Sequence, residues 1–290
     1  LTPCGMAAIN IALSIFNDPK DHRPWLFPAD VYSGTKEYAS EVLQNQRGVN
    51  AKFANPAGQN STTSNLISAI ENAPPALVFI EPISNPLLDV IDIPAVAEAA
   101  HHHRACVVVD NTIATPYLFH PLDAGADLVV HSATKYLAGH NNILAGAICV
   151  NDPELHTRLL THRNTIGSVL GPDDAGRLKT QLSTFSLRLT RQNEAAMKIA
   201  EFLENHPSIA TVRYPGLSSH SDYKLARKMF DDRGFGALIT FDLARNEEGS
   251  RRFVDDLSPD IPHIGSMGDV TTSFLPVSYT HLTLPTSDLV

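Results

Sequence analysis

Residues 105–112 read Ala105-Cys106-Val107-Val108-Val109-Asp110-Asn111-Thr112, and residues 127–136 read Asp127-Leu128-Val129-Val130-His131-Ser132-Ala133-Thr134-Lys135-Tyr136. Each is a short, β-branched apolar run that stops on polar side chains. A run apolar on both faces is the mark of a strand buried in a parallel sheet. Working outward, the same pattern recurs at 76–81 (ALVFIE), at 145–150 (AGAICV) and, shorter, at Trp25–Pro28. Amphipathic stretches at 6–16, 35–46, Thr62–Asn72 and 93–103 predict helices. Strands alternating with helices imply βαβ units and a doubly wound, mostly parallel sheet, an α/β fold. Ligands of such sheets sit at the carboxyl ends of the strands.

Farther along, residues 173–205 carry no proline and read as one unusually long helix that bridges to a second αβ unit. That unit is expected as a strand at 209–214, a helix at Tyr223–Phe230, a strand at 237–243, a helix at Glu247–Leu257 and a strand at 261–264. The expected division is a large domain over 1–190 and a smaller C-terminal α/β domain over 191–277. The stretch 278–290 (SYTHLTLPTSDLV) has neither period and is expected to be a non-native tail.

Composition narrows the function classes. The 290 residues include 22 basic and 31 acidic side chains, a formal net charge of −9. A nucleic-acid surface needs a surplus of basic groups against the phosphates, so that class is disfavoured. Apolar residues at 43% and charged residues at 18% make a folded globule rather than a disordered chain. No apolar run of about 18 residues is present to span a membrane. Three cysteines, Cys4, Cys106 and Cys149, are too few for a disulfide framework and match no zinc spacing. Cys106 and Cys149 lie in apolar runs and are expected as small core residues. Leu1-Thr2-Pro3-Cys4 has no basic signal-peptide region and no starting methionine, so a cytoplasmic protein, given as a fragment, is expected.

Three strand ends bring chemistry to one edge: Glu81-Pro82-Ile83-Ser84-Asn85-Pro86, Asp110-Asn111-Thr112 and His131-Ser132-Ala133-Thr134-Lys135-Tyr136. A lysine in a semi-enclosed pocket has its pKa lowered, which frees the amine for Schiff-base formation. Pyridoxal phosphate needs such a lysine, an acid beside its pyridine nitrogen and a set of phosphate ligands. Ser132 and Thr134 supply hydroxyls next to Lys135. Gly5-Met6, opening a helix, supplies backbone N–H groups. Tyr32 supplies an aromatic face for the ring.

Each feature has a plainer reading. Ser-x-Thr-Lys alone is a surface loop, Asp110 a helix cap, Tyr32 a packing aromatic, Gly5-Met6 a bare helix start and Asn85-Pro86 a turn. The lysine following a buried strand, 25 positions after a strand-ending acid, favours chemistry. His101-His102-His103 cannot converge on one metal from a helix and reads as a solvated helix end, so no metal is expected. His131 and His140 read as structural, and Arg188 and Arg191 as ion-pair partners.

The chain resembles the Cys/Met-metabolism (trans-sulfuration) family of pyridoxal-phosphate enzymes, which includes cystathionine γ-synthase, cystathionine β- and γ-lyases and methionine γ-lyase. The resemblance rests on residues 4–9, 32–35, 81–86, 109–117, 125–136, 139–140, 214–217, 234–236 and 266–268, and it runs in consistent order to about Pro276. It implies a fold-type-I architecture and a lyase or transferase acting on sulfur amino acids or O-activated homoserine by β-elimination, γ-elimination or γ-replacement. It also implies Lys135 as the Schiff-base lysine and Asp110 at the pyridine nitrogen, with Thr112 and Tyr32 on the two ring faces. Gly5, Met6, Ser132 and Thr134 fall at the phosphate, Asn85 near the phenolic oxygen and Ser266 at the substrate carboxylate, with Tyr32 also a proton carrier. A homotetramer built as a dimer of dimers is implied, with an amino acid as the partner and neither nucleic acid nor membrane. No Arg-Leu-Ser type segment follows Ser266. Two other classes compete: a catalytically impaired homologue serving as a scaffold or regulatory subunit, and a nucleotide-binding protein, which would need a Gly-x-Gly-x-x-Gly after a strand.

Overall fold

Helix starts are written locally. Ser61 accepts the Ser64 N–H at 3.2 Å, Asp92 that of Ala95 at 3.1 Å and Asp152 that of Leu155 at 2.8 Å, each capping orphan amides of a first turn. The computed structural model describes residues 1–55, 61–230, 233–244 and 247–276. The first half comprises α1 (Gly5–Ser14), β1 (Trp25–Pro28), α2 (Ser33–Glu37) running into a π-helical turn (Tyr38–Gln44), β2 (Ala51–Ala54), α3 (Thr62–Asn72), β3 (Leu77–Ile80) and α4 (Ile93–His102). It continues with β4 (Cys106–Asp110), α5 (Thr115–Leu118), β5 (Leu128–Ser132) and β6 (Gly146–Cys149). The second half comprises α6 (Pro153–Thr165), α7 (Pro172–Leu182), α8 (Phe185–Glu204), β7 (Ile209–Arg213), α9 (Tyr223–Phe230), β8 (Thr240–Leu243) and α10 (Glu247–Leu257).

Six strands form one sheet in the order β2-β1-β3-β4-β5-β6, and β7-β8 form a second, two-stranded sheet. The expected doubly wound α/β architecture is what the alternating side chains build. Val78, Ile80, Val107, Val109 and Val129 face a core shared with α3 and α4. Leu77, Phe79, Val108, Leu128 and Val130 face the opposite core, shared with α1. Successive Cβ atoms point to opposite faces of a strand, so both faces need a cover of helices. Each such side chain contributes about 1.5–3 kcal/mol when fully buried. The strand ends on which the site depends are therefore held on both sides.

Several expectations change. The apolar run at 145–150 predicts another buried parallel strand, but β6 is antiparallel to β5, with Ser132 opposite Gly146. The link from β5 is the turn that carries Lys135 rather than a crossover helix, so the strand returns beside its predecessor. Cys149 on β6 is exposed rather than the small core residue expected, whereas Cys106 is half-buried and packs against the core shared with α1. The pattern did not announce β2, a four-residue edge strand pairing in parallel with β1, nor α6. The single helix over 173–205 is two, α7 and α8. At the break Ser183 Oγ donates to Thr180 O at 2.6 Å and Thr184 Oγ1 to Gln181 O at 3.2 Å, which competes with continued helical pairing. No strand forms at 261–264, where His263 and Phe274 make an isolated bridge instead. The stretch 278–290 lies outside the described residues.

Candidate active site

The carboxyl ends of β4 and β5 are tied by one hydroxyl. Thr112 Oγ1 donates to Asp110 Oδ1 at 2.5 Å, and the Thr112 N–H reaches the same oxygen at 3.0 Å. The Ser132 N–H in turn donates to Thr112 Oγ1 at 2.7 Å. Asp110 thus closes a local Asx turn rather than capping a helix, and Thr112 locks the acid of one strand to the head of the lysine turn on the next. These bonds leave Asp110 Oδ2 without a hydrogen-bond partner among the described residues. Burial pushes the Asp110 carboxyl up to about 6, against the opposing pull of the two Thr112 bonds.

Lys135 follows β5 in a tight turn. Its Nζ donates to Ser266 Oγ at 3.0 Å, and no carboxylate pairs with it among the described residues. Burial lowers its pKa below the usual lysine value, the direction that frees a nucleophilic amine. Two groups clamp this turn. Gly268, with φ +93°, approaches so closely that a Cβ there would lie 2.5 Å from Tyr136 N and 2.7 Å from Lys135 C. Arg188 on α8 donates to Tyr136 O at 2.9 Å and Leu137 O at 3.1 Å. Arg188 was expected in an ion pair, but it has no carboxylate partner among the described residues and binds loop carbonyls instead. Arg191 does pair with Glu194, at 3.5 Å.

The helix start meets the lysine turn from the other side. The first turn of α1 holds no acidic residue, and its amides have no side-chain cap among the described residues. A Cβ on Gly5 would lie 2.7 Å from Ser132 Cβ, so only glycine allows this approach. The Ser132 hydroxyl makes no hydrogen bond among the described residues, whereas the Thr134 hydroxyl is engaged with Ala145, accepting its N–H at 3.0 Å and donating to its carbonyl at 3.2 Å. Met6 and Tyr32 are neighbours: a Cβ on Gly34 would lie 2.7 Å from the Tyr32 ring and 3.4 Å from Met6 Sδ. Tyr32 is 43% exposed, and its phenol is held protonated by burial first and then by the nearby charge of Asp110. Asn85 is half-buried in the loop after β3, beside the cis Asn85-Pro86 bond.

Glu81 stands in the sequence only as part of the strand-end motif at 81–86, with no role of its own. The structure shows it 5% exposed, with Oε1 accepting the Tyr32 N–H at 3.0 Å and Oε2 buried without a partner among the described residues. An acid closing an apolar strand was the signal available. His101 and His103 reach different carboxylates, Asp127 at 3.0 Å and Glu71 at 3.1 Å. His131 is buried and driven down to about 4 by that burial. No described helix is long and apolar enough to cross a membrane.

Comparison with known proteins gives a consistent picture. The model of the family described as Cys/Met metabolism PLP-dependent enzyme matches residues 1–289. A cystathionine beta-lyase of Lactococcus lactis subsp. cremoris is 38% identical over 282 residues, which are 97% of this chain and 71% of the relative. A cystathionine gamma-lyase of Bacillus subtilis is 37% identical over the same shares. The crystal structure of cystathionine gamma synthase from Xanthomonas oryzae pv. oryzae in complex with cystathionine superposes with a TM-score of 0.89 at 36% identity, covering 98% of this chain and 71% of that one.

Proposed function

Because the chain belongs to the Cys/Met-metabolism family of pyridoxal-phosphate-dependent enzymes, we propose that its strand-end site is the catalytic centre of a trans-sulfuration lyase or transferase. Its substrates are sulfur amino acids or O-activated homoserine, cleaved or exchanged by β-elimination, γ-elimination or γ-replacement. One observation carries this reading. Thr112 joins the acid of β4 to the lysine turn of β5 through a 2.5 Å and a 2.7 Å hydrogen bond.

The residues present fit the cofactor. An open acid oxygen, an amine of lowered basicity, unpaired helix-start amides and a free serine hydroxyl are the donor set that a phosphorylated pyridine aldehyde requires. Gly5, Met6 and Ser132 would hold the phosphate, joined by Thr134 through the capacity its Ala145 bonds leave. Asp110 Oδ2 would meet the pyridine nitrogen, with Thr112 and Tyr32 on the two faces of the ring and Asn85 near its phenolic oxygen. When bound, the cofactor supplies an aldehyde for an amine and a ring that withdraws electrons from the substrate Cα.

The chain's own groups then divide the work. Ser266 binds the substrate carboxylate, and its hydroxyl gives up the Lys135 Nζ contact to do so. Lys135 Nζ, its basicity lowered by burial, takes the proton from the substrate Cα. Tyr32, protonated at rest, donates to the departing sulfur or oxygen. Each acid–base step of this kind is worth about 10²–10⁴-fold. The working protein is read as a cytoplasmic homotetramer, with a large domain over 1–190 and a small one over 191–277.

Loading with pyridoxal phosphate tests the reading. A visible absorption band that borohydride traps, and that Lys135→Ala lacks, supports it; protein that stays colourless after loading overturns it. Cystathionine, methionine and O-acylhomoserine or O-phosphohomoserine, each with and without cysteine or sulfide, then separate elimination from replacement by their 2-oxo acid or thioether products.

A further inference from the structure

β3 and β4 run parallel with Ile80 opposite Val109, so the next rung sets Glu81 beside Asp110. β1 lies between β2 and β3, so the winding of the sheet reverses at the β1–β3 junction. Loops leaving such a junction part to opposite faces and open a crevice. Glu81 stands in it, joined through Oε1 to the Tyr32 N–H at 3.0 Å, with Oε2 sealed from solvent and unpartnered. No cationic side chain pairs with it among the described residues. An ionised carboxylate has about four acceptor sites to satisfy, and a single N–H is poor compensation for its burial. A neutral acid fits better, with Oε1 as the carbonyl acceptor and Oε2 carrying the proton.

We propose that Glu81 keeps its proton in the folded protein and acts as the positioning partner of Asp110. It anchors the Tyr32 backbone and leaves the strand-end acid pair with one negative charge instead of two. The titratable groups that face it are Asp110 from β4 and the Tyr32 phenol from the head of α2. Burial, reinforced by the charge of Asp110, holds the Glu81 carboxyl well above the ordinary carboxylate range. Two ionised carboxyls side by side would repel; one matches the single positive charge of a protonated pyridine nitrogen. Only this last consequence rests on the function proposed above.

The test uses the cofactor-free protein, so its failure is distinct from a failure to bind cofactor. An acid whose folded pKa lies above its unfolded value takes up a proton on folding, so stability falls as pH rises through that window. Glu81→Gln keeps the acceptor for Tyr32 and is always neutral. Urea unfolding at pH 8 should show it more stable than wild type, with the unfolding constant lower on the order of tenfold for each unit by which the pKa is raised. At pH 4 the two proteins should coincide. The infrared carbonyl band of a protonated carboxyl, present in wild type at pH 7, should be missing from Glu81→Gln. In the loaded protein the visible band and its pH titration should be unchanged. A Glu81→Gln protein that is no more stable at pH 8, or that fails to fold, overturns the proposal, as does an unchanged infrared band or a shifted visible titration.

Discussion

Lys135 and Ser266 touch, yet they come from regions built in opposite ways. The lysine leaves β5, whose first four residues are buried, in a sheet covered on both faces. The serine comes from residues 247–276, where no described side chain is buried. That segment is joined to the lysine side mainly by polar contacts. Asn141 Nδ2 donates to Asp269 Oδ2 at 2.7 Å, Gln192 Nε2 donates to Asp269 O at 2.7 Å, and Gly268 lies against the Lys135–Tyr136 backbone. Apolar burial fixes one half of the site, and exposed or half-buried hydrogen bonds worth about 0.5–1.5 kcal/mol each hold the other. The sheet side is suited to fixed cofactor chemistry. The strap side can yield when a substrate arrives, since regions with few buried apolar contacts open most readily.

The contrast predicts a graded series. Lys135→Ala should have the largest effect, removing the visible band of the loaded protein and lowering kcat by at least about 10⁴-fold, since base and nucleophile go together; residual turnover above that level would break the assignment. Next comes Gly5→Val, which forces a side chain into Ser132. Overpacking of about 1–3 kcal/mol should weaken cofactor binding by about ten- to a hundredfold, read by equilibrium titration, with the fold kept. Asp110→Asn should cost cofactor affinity to a similar or smaller degree, the worth of a charged hydrogen bond being about 1.5–3 kcal/mol. It also carries a pH signature. The folded pKa of about 6 lies above the ordinary value, so Asp110 makes the cofactor-free protein less stable as pH rises from about 4 to 6. The asparagine variant should lose that part of the slope.

The strap side should answer differently. Ser266→Ala is expected to raise KM several-fold, with cofactor affinity and unfolding midpoint within error of wild type, on the scale of one half-buried hydrogen bond. Asp269→Ala should do least, moving stability by no more than about 0.5 kcal/mol. If it instead lowered cofactor affinity as much as Gly5→Val, the strap would be part of the cofactor frame and the contrast would be wrong.

Much of the sheet side was legible beforehand. Residues 105–112 and 127–136 announce buried strands by composition, and a strand that ends on Asp110 or on the Ser132–Lys135 turn marks a candidate site. The short edge strand β2 was not legible, because four residues give too few alternations. Nor was the break at Ser183-Thr184, which depends on two hydroxyls choosing local carbonyls. Arg188 looked like any helical arginine needing an acid; its partners, the carbonyls of Tyr136 and Leu137, lie about fifty positions upstream. Glu81 was visible as an acid, but its role depends on a neighbour from another strand.

The chain's local pattern by itself determined which segments bury both faces, where each run ends and which reactive groups stand at those ends, because apolar period and side-chain chemistry are properties of adjacent residues. Tertiary structure alone decided that β1 sits between β2 and β3, that Ile80 stands opposite Val109 just before Glu81 and Asp110, and that β6 turns back antiparallel. Strand order and register are set by how distant segments bury surface against one another, and no stretch of sequence contains both sides of that contact.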